Sequence, residues 1–463
     1  MIESLKHLPR VAGSNEALAR QFTDLAPALT PRQAQVEAAR CLYCYDAPCM
    51  RACPTGIDVA SFIRNIHDDN INGAAHSILK QNIFGGACAR VCPTEILCED
   101  ACVRNHMGEQ QPVRIGLLQR HAIDHAVFPE HPFERAPCTG KTIAVVGAGP
   151  AGLSCAHRLA MLGHDVVVFE ANARAGGLNE YGIAKYKLPG SFAQQEVAFL
   201  LEIGGIDVRT GYALGVNLHL KDLQVQYDAV FLAIGLTASR RLGLTGEDAP
   251  GLMSAIDYIA TLRQAQDLAA LPVPRRAIVI GAGNTAIDMA VQIKRMGADD
   301  VTLVYRRGID AMSATRHEIA IAKAHCVRIR TWAAPAEILL DAAGSVMGMR
   351  FEETKMEGTR LAGTGAVIDI AADAVFKAIG QSLEAISLSD EMAAGFAREG
   401  EKIAVDSHFR TSVAGIYAGG DCVAPGQDLT VQAVQHGKLA AYAIHQDVHM
   451  RDLQAGTGAA WPT

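Results

Sequence analysis

Short runs of apolar residues recur in the middle of the chain, and each is followed by glycines and then by a helical pattern. Lys141–Val146 leads into the turn Gly147-Ala-Gly149-Pro-Ala-Gly152, which opens an Ala/Leu-rich stretch over 153–162, and Asp165–Glu170 is the next apolar run. Unbroken apolar runs of this length are typical of strands that are buried on both faces of a parallel sheet. The order strand, turn, helix, strand therefore predicts a βαβ unit.

The same pattern returns further along the chain. Ala277–Gly281 runs into a second glycine turn and a helical stretch, and Val301–Tyr305 follows as the next strand. Later in the chain each unit is followed by one more apolar run, and the two runs are similar: Val230–Gly235 for the first unit and Val375–Gly380 for the second. A further run, Gly415–Asp421, has no glycine turn of its own, so we expect it to complete the first unit. The pattern predicts two Rossmann-like domains, the second inserted in the first.

The first part of the chain has a helical pattern instead. Apolar residues three and four apart predict helices over Pro31–Arg40 and Ile57–Ile66, with Asp58 as the N-cap of the latter. The loop Phe128–Phe133 ends this region. The predicted fold class is α/β with a preceding α-helical domain. The expected boundaries are 1–135 for the helical domain, 136–244 and 384–450 for the first α/β domain, 245–383 for the inserted domain and 451–463 for a C-terminal tail.

Composition and charge agree with this organisation. At roughly 150 residues per domain, 463 residues suffice for about three domains, and 49% apolar with 20% charged residues is typical of a folded globular protein. The formal net charge is −7 and no run of Lys or Arg occurs, so nucleic acid and anionic membranes are unexpected partners. No stretch reaches about 18 consecutive apolar residues, and the opening residues lack the apolar core of a secretory signal, which predicts a cytoplasmic protein.

The cysteines carry the first chemical signal, because eight of the 12 lie between Cys41 and Cys102. In a reducing compartment such a density is more typical of metal or cluster binding than of disulfides. Two runs occur, each with one Cys-Pro step: Cys41, Cys44, Cys49 and Cys53, then Cys88, Cys92, Cys98 and Cys102. The first is close to the run of bacterial ferredoxins, in which the cysteine before the proline serves the other cluster. By that logic Cys53 and Cys102 cross over between two [4Fe–4S] clusters.

A pair of structural zinc sites is the alternative interpretation. Such sites are usually built from two closely spaced cysteine pairs, whereas a single C-x2-C pair, Cys41 and Cys44, occurs here. The two Cys-Pro steps and the irregular spacing favour iron–sulfur clusters.

The glycine turns indicate two dinucleotide sites. In the first unit the glycines allow the backbone to approach a pyrophosphate at a helix N-terminus. Glu170, 23 residues beyond Gly147, stands where an acid hydrogen-bonds an adenosine ribose. In the second unit the strand ends in Arg306 and Arg307 and not in an acid. A lone glycine motif can be mere turn chemistry, but the complete βαβ unit with its acid is specific.

At these residues the chain resembles flavoproteins with two dinucleotide-binding domains, which implies FAD in the first domain and NAD(P)H in the inserted one. The stretches over 176–178 and 181–189 are similar to the segment beside the isoalloxazine. The resemblance assigns to FAD Gly147, Gly149, Pro150, Ala151, Gly152, Glu170, Gly177, Leu178, Leu188, Gly235, Gly420, Asp421, Thr430 and Val431. It assigns to NAD(P)H Gly281, Gly283, Asn284, Thr285, Arg306, Arg307, Ala378 and Gly380.

With the cysteine-rich domain in front, the resemblance narrows to the glutamate synthase small subunit and dihydropyrimidine dehydrogenase families. Pro54–Ile63, Cys88–Glu95 and Ile115–Arg120 are most similar to the second family, and the likeness extends from about residue 30 to 447. In that family one cluster takes a Gln in place of its fourth Cys. The resemblance therefore implies Cys41, Cys44, Cys49 and Cys102 for one cluster and Cys53, Cys92, Cys98 and Gln119 for the other.

Two residues of this assignment depend wholly on the resemblance. Cys88 is left without a cluster, although it lies in the second cysteine run. Gln119 taken alone would be an ordinary residue of a helix surface.

FAD, NAD(P)H and iron–sulfur clusters in one chain imply an electron-input module. A nicotinamide delivers two electrons as a hydride and an iron–sulfur cluster accepts one, so a flavin between them divides the pair. No side chain needs to act as catalytic acid, base or nucleophile, and we expect the electron acceptor to be another polypeptide. The resemblance implies a partner subunit with FMN and its own clusters, which interconverts uracil or thymine and the 5,6-dihydro form within a heterotetramer.

Two alternatives stay open, namely a glutamate synthase small subunit and a non-enzymatic redox sensor. The sequence also gives opposing indications on whether the nicotinamide nucleotide is NADH or NADPH. Arg306 and Arg307 suit the 2′-phosphate of NADPH, because guanidinium groups bind phosphate bidentately. Against this, Ser313 stands where the NADPH-using members of the family have a further Arg, and the separate bacterial input subunits use NADH. We predict NADH.

Overall fold

The computed structural model of the chain describes residues 3–9, 14–108, 110–236, 238–383 and 395–454, the side chains of Glu3 and of 452–454 excepted. The helices, numbered in chain order, are α1 (Asn15–Gln21), α2 (Pro31–Ala38), α3 (Pro48–Ala52), α4 (Val59–His67), α5 (Ile71–Gln81), α6 (Gly85–Val91), α7 (Ile115–His125), α8 (Pro150–Met161), α9 (Leu178–Tyr181), α10 (Phe192–Leu201), α11 (Leu220–Gln226), α12 (Ala255–Gln264), α13 (Asn284–Arg295), α14 (Arg316–Ala324) and α15 (Thr430–Gln454). Within these residues no helix combines the length and the apolar character needed to cross a membrane.

The strands are β1 (Thr142–Val146), β2 (Asp165–Glu170), β3 (Ile206–Thr210), β4 (Ala229–Leu232), β5 (Ala238–Ser239), β6 (Leu252–Ser254), β7 (Arg276–Gly281), β8 (Asp300–Val304), β9 (Arg328–Arg330), β10 (Ala333–Leu340), β11 (Val346–Glu357), β12 (Arg360–Ala371), β13 (Ala374–Ala378), β14 (Gln381–Ser382), β15 (Arg398–Glu399), β16 (Lys402–Ile403) and β17 (Ile416–Ala418). The described residues form two compact units. The cysteine-rich unit comprises those of 26–180, 191–237 and 382–454, and the inserted unit those of 3–25, 181–190 and 238–381.

The cysteine-rich unit contains a parallel sheet with the strand order β17-β4-β1-β2-β3. Val146 of β1 lies opposite Phe169 on one side and Leu232 on the other. Four of the five residues of β1 are buried, as a strand covered on both faces requires. The strand ends at Gly147, and α8 begins with Pro150 at its first position, where the missing N–H costs no hydrogen bond.

The helices before this sheet have an apolar core of their own, which includes Phe62, Ile63, Ile78 and Leu118. The predicted cap of α4 is confirmed, because Asp58 Oδ1 accepts a hydrogen bond of 3.0 Å from Ser61 N. This region therefore forms the helices that its capping residues and apolar spacing predict.

The inserted unit has a similar parallel sheet, with the strand order β6-β13-β7-β8-β9. It also has an antiparallel sheet, β10-β11-β12, whose strands lie between β9 and β13 in the sequence. The strand that precedes each glycine turn is central in its sheet, β1 in one and β7 in the other. Both return strands, β4 and β13, lie next to that central strand, and β17 pairs with β4. The predicted fold class, with one Rossmann-like fold inserted in another, is confirmed.

Two segments lie in the inserted unit although the sequence pattern suggested otherwise. Ser4 O accepts a hydrogen bond of 2.7 Å from Gly251 N, so the first described residues join this unit and not the helical region. Lys187, in the segment 181–190, lies 2.7 Å from Asp288 and 2.6 Å from Glu318 and is almost buried. These partners are distant in sequence, so no local pattern reveals them. Residues 455–463, most of the expected tail, and 384–394 lie outside the described residues.

Helices α8 and α15 approach each other closely in the cysteine-rich unit, and a glycine permits the approach. A Cβ atom placed on Gly437 would lie 2.1 Å from Ala151 O and 2.9 Å from Cys155 N. Both are backbone atoms of α8, so neither can rotate away as a side chain could. Any side chain at position 437 therefore separates the two helices.

We expect Gly437→Ala to lower the midpoint temperature of unfolding by several degrees. Overpacking typically costs about 1–3 kcal/mol, and each kcal/mol shifts the midpoint of a domain of about 150–250 residues by about 2–4 °C. The measurement is thermal unfolding of the cofactor-loaded protein by circular dichroism. Gly108→Ala is the matched control, because a Cβ there meets no atom within 4 Å. Equal midpoints for the two variants would contradict the close approach.

Candidate functional site

Four of the clustered cysteines lie near one another in a partly buried part of the helical region. Cys41 and Cys44 follow α2, Cys49 lies in α3 and Cys102 precedes a short 3-10 turn. Burial raises the pKa of Cys49 to about 11, and the nearby thiols of Cys102 and Cys41 contribute in the same direction. Burial also raises the pKa of Cys41, with Cys44 and Cys102 adding to it. These are the four residues that the resemblance assigns to one cluster.

A second group consists of Cys53, Cys92 and Cys98. A hydrogen bond with Cys88 and burial raise the pKa of Cys92 well above its usual range, and Cys98 and Cys53 are near enough to add to the shift. Burial likewise raises the pKa of Cys98, with contributions from Glu99 and Cys53. The structure thus brings together the three cysteines assigned to the other cluster.

The donor chemistry of both groups fits iron–sulfur clusters. Burial is the main cause of the raised pKa values of Cys41, Cys49 and Cys98, and repulsion between neighbouring thiolates adds to it. Bound iron would compensate this negative charge. Cysteine thiolates are also the ligands that hold such clusters.

Gln119 and Cys88 both lie on the packed faces of neighbouring helices, α7 and α6. Gln119 is 8% exposed, so the expectation that it is a helix-surface residue is wrong. Its Nε2 donates a hydrogen bond of 2.7 Å to Gly85 O, and within the described residues its Oε1 accepts none. Cys88 is 2% exposed and adjoins Cys92. Each could therefore supply the fourth ligand, and burial alone does not choose between the amide oxygen and the thiol.

The glycine turn after β1 is formed by close backbone approaches. A Cβ on Gly147, which has φ +102°, would lie 2.3 Å from Ala233 O, and one on Gly152 would lie 1.9 Å from Gly147 O. A Cβ on Gly177 would lie 2.6 Å from Gly149 Cα. The turn therefore leaves the N-terminus of α8, with Pro150 and Ala151, free of side-chain bulk. This cradle fits the pyrophosphate of FAD.

Glu170 lies beside this turn at the end of β2. It is 5% exposed, its Oε2 accepts a hydrogen bond of 2.8 Å from Ala148 N, and its Oε1 accepts two from Asn172, of 2.8 and 2.7 Å. These bonds hold the carboxylate at the carboxyl edge of the sheet, where the acid of a dinucleotide fold meets a ribose.

Gly420 and Asp421 follow β17 and reach the same edge. A Cβ on Gly420 would lie 3.0 Å from Ala151 Cβ. Burial raises the pKa of Asp421 to about 6, Asp428 adds to the shift, and Lys402 opposes it. The residue thus sits in a largely desolvated position next to the turn.

Asn179 is a residue of this site that the sequence did not indicate. Its Oδ1 accepts a hydrogen bond of 3.2 Å from Thr430 Oγ1, at the start of α15. Its Nδ2 is buried and has no hydrogen-bond partner among the described residues. A buried donor without an acceptor is costly, so this atom fits a bound polar ligand such as FAD. Its neighbour Leu178 is 40% exposed.

The remaining residues assigned to FAD are distributed as follows. Gly235, with φ +63°, lies in the turn after β4, and Val431 is buried in α15. Leu188 is buried in the inserted unit, where its carbonyl accepts a hydrogen bond from Arg263.

The second glycine turn has the same construction at the end of β7. A Cβ on Gly281 would lie 2.3 Å from Ala378 O, and a Cβ on Gly283 would lie 3.4 Å from Ser313 Oγ. Asn284 and Thr285 begin α13, and its N-cap residue Gly283 has no side chain, which suits the approach of a phosphate group to the helix N-terminus. Gly380, with φ +100°, lies two residues after the return strand β13.

Arg306 and Arg307 follow β8 and are both exposed. Their carbonyls accept hydrogen bonds from Thr354 Oγ1 and Trp332 N, so the backbone of the pair is fixed. Ser313 is also exposed, beside the glycine turn. The donor set fits NAD(P)H, with the guanidinium groups available to the adenosine half.

Two buried charged residues connect the thiol-bearing turns to the α/β fold. Glu196 Oε1 accepts hydrogen bonds of 2.9 Å from Gly86 N and Ala87 N in the first turn of α6, and burial raises its pKa to about 7. Lys438 of α15 donates to Thr55 O and to Gln81, and burial lowers its pKa to about 8, with Arg158 contributing and Cys53 opposing. The sequence analysis missed both. A lysine at helical spacing from the apolar Val431, Val434 and Ala441 was the available signal for Lys438.

Comparison with known proteins follows this division of the chain. Residues 141–437 match the family model described as pyridine nucleotide-disulphide oxidoreductase. Residues 18–130 match the model described as dihydropyrimidine dehydrogenase domain II, 4Fe-4S cluster. Among solved structures, T. acidophilum thioredoxin reductase covers 66% of this chain with 99% of its own at TM-score 0.51 and 22% identity. FprA of Mycobacterium tuberculosis covers 70% with 88% of its own at TM-score 0.56 and 17% identity. Both share the fold.

Curated relatives match over nearly the full length. The NAD-dependent dihydropyrimidine dehydrogenase subunit PreT of Salmonella typhimurium is 34% identical over 91% of this chain and 96% of its own. The small chain of glutamate synthase [NADPH] of Escherichia coli is 32% identical over 92% of this chain and 93% of its own. The family models imply FAD, NAD(P)H and a 4Fe-4S cluster, which makes the protein an NAD(P)H-dependent oxidoreductase. The chain belongs to the pyridine nucleotide-disulphide oxidoreductase family and, within it, to the PreT-type subunits of dihydropyrimidine dehydrogenase.

Proposed function

We propose that the chain is the electron-input subunit of an NAD-dependent dihydropyrimidine dehydrogenase. It takes a hydride from NADH onto FAD and passes single electrons through two [4Fe–4S] clusters to a partner subunit. The observation that carries this proposal is the presence of two groups of crowded thiols and a dinucleotide turn in one compact unit. The match of the same chain to PreT-type relatives supports it.

The residues of the chain position and tune the cofactors. When bound, FAD accepts a hydride and releases its electrons one at a time to iron–sulfur clusters. The turn around Gly147 and Gly149 holds the pyrophosphate, and Glu170 holds the ribose. Arg306 and Arg307 meet the adenosine half of the nicotinamide nucleotide in the inserted unit. Cys41, Cys44, Cys49 and Cys102 hold one cluster, and Cys53, Cys92, Cys98 and Gln119 hold the other.

The acceptor in this proposal is a PreA-type catalytic subunit with FMN and its own clusters. On that subunit uracil or thymine and the 5,6-dihydro form are interconverted, and the two kinds of subunit form a cytoplasmic heterotetramer. The name of the PreT relatives, which states that they are subunits of such a dehydrogenase, supports this acceptor. Mass spectrometry of the complex purified through this chain tests it, and the expected partner is a pyrimidine-reducing flavoprotein.

A glutamate synthase small chain is the second candidate, since the relative from Escherichia coli is nearly as similar. Recovery of a glutamate-forming partner in the same purification would select it.

The redox-sensor alternative is tested separately. NADH should bleach the bound flavin within milliseconds to seconds in a stopped-flow experiment if the chain is an electron-input subunit, whereas a sensor that only binds nucleotide leaves the flavin oxidised.

We predict two [4Fe–4S] clusters per chain, because seven crowded thiols fall into two groups, and Gln119 is the proposed eighth ligand. Iron and acid-labile sulfide analysis of the anaerobically purified protein should give about eight of each per chain, the content of two four-iron clusters. Stoichiometric zinc without sulfide would refute the prediction.

We predict that Cys88→Ser retains both clusters, whereas Cys98→Ser loses one. The reason is that the proposed ligand groups, which follow the family resemblance, give the fourth position beside Cys92 to Gln119 and leave Cys88 out, although Cys88 adjoins Cys92. Iron content and the EPR spectrum of the reduced protein give the count. Gln119→Ala is the companion variant, for which we expect a loss or an altered spectrum of one cluster. A cluster lost in Cys88→Ser and kept in Gln119→Ala would show that the thiol is the ligand.

We predict a higher kcat/KM with NADH than with NADPH, and a tenfold ratio between the two corresponds to about 1.4 kcal/mol of transition-state binding. Steady-state rates with an artificial electron acceptor measure it without the partner. Ser313 is exposed beside Gly283. The variant Ser313→Arg should have a higher kcat/KM for NADPH than the unaltered protein, because a third guanidinium would face the 2′-phosphate. Ser313→Gln controls for size. A tenfold preference of the unaltered protein for NADPH would overturn the assignment.

A further inference from the structure

Lys438 is a buried cation whose hydrogen bonds all go to uncharged oxygens. The residue is 6% exposed. Its Nζ donates to Thr55 O at 2.8 Å, to Gln81 O at 3.0 Å and to Gln81 Oε1 at 3.0 Å. These three bonds use all the donors of an ammonium group, so its orientation is fixed. Thr55 lies two residues after Cys53, and its Oγ1 is 3.3 Å from Cys53 Sγ.

A buried ammonium without an anion is expensive. In the described part of the chain no carboxylate lies within ion-pair distance of Lys438. The thiol group that contains Cys53 is the place where negative charge accumulates, since thiolates and the cluster they hold carry a net negative charge. The negative charge of the cluster site to which Cys53 belongs thus explains why an ammonium group is buried at this position.

One helix connects this lysine to the FAD site. Thr430, at the start of α15, is bonded to Asn179, whose Nδ2 lacks a partner among the described residues. Eight residues of helix, about 12 Å at 1.5 Å per residue, separate Thr430 from Lys438. A continuous helix is stiff, so the turn after Cys53 is held at a fixed distance from the FAD site.

Resting on the proposed function, we propose that Lys438 is a positioning residue that fixes the Cys53–Thr55 turn and raises the reduction potential of the cluster bound by Cys53. In the step concerned one electron leaves the reduced flavin and enters the cluster, and no proton or bond is transferred to the lysine. The cluster gains a negative charge. A fixed ammonium close by in a poorly solvated place stabilises that reduced form.

The test is an EPR-monitored potentiometric titration of both clusters in the anaerobic holoprotein. Lys438→Gln keeps a hydrogen-bond donor and removes the charge. We expect it to reduce the equilibrium constant for one-electron reduction of one cluster about tenfold, which is about 59 mV, and to leave the other cluster unchanged. Lys438→Arg, which keeps the charge, should stay near the wild-type potential. Lys80→Gln is the charge-matched control, because Lys80 is exposed next to Gln81.

Each outcome separates the alternatives. Wild-type potentials in iron-replete Lys438→Gln would overturn the inference, as would equal shifts in Lys438→Gln and Lys438→Arg, which indicate packing and not charge. If Lys438→Gln loses a cluster, Lys438→Met, which is better suited to an apolar site, is titrated in its place. Loss of the cluster from all three variants overturns the charge role, and loss from the neutral variants alone supports it. A wild-type protein without acid-labile sulfide would contradict the proposed function itself.

Discussion

Crowded, partly buried thiols are the constraint on which the rest of the cysteine-rich unit depends. As thiolates they repel one another, and burial of a negative charge adds to the cost. The loops that carry them are short, so their positions must be fixed from outside. Glu196 binds the first turn of α6, and Lys438 binds the turn after Cys53. Both side chains come from helices of the α/β fold, which thereby helps to fix the backbone that carries the thiols.

The sequence predicted the features that depend on local patterns. The apolar runs and glycine turns of the two Rossmann-like folds form central strands and helix N-termini as expected, because each is decided within about 30 residues by burial and turn geometry. The cysteine runs are grouped in space as their spacing and family likeness suggested.

Long-range contacts were not predictable in the same way. Glu196 is 110 positions from Gly86, and Lys438 is 383 from Thr55. Gln119 lies on a face of α7 that α6 covers, which no property of α7 alone reveals. The segment 181–190 is held in the inserted unit by the ion pairs of Lys187 with Asp288 and Glu318. Both partners lie more than 100 positions further along the sequence. Pairs of this kind depend on the finished fold.

The hydrogen bonds of Lys438 also bear on the order in which the protein matures. Synthesis proceeds from the N-terminus, so all eight clustered cysteines precede Lys438 by more than 300 residues. The turn after Cys53 receives its final contacts when α15 has folded onto it. A nascent chain therefore carries exposed thiols throughout most of its translation, and the cell must keep them reduced and free of stray metal until the last helix is in place.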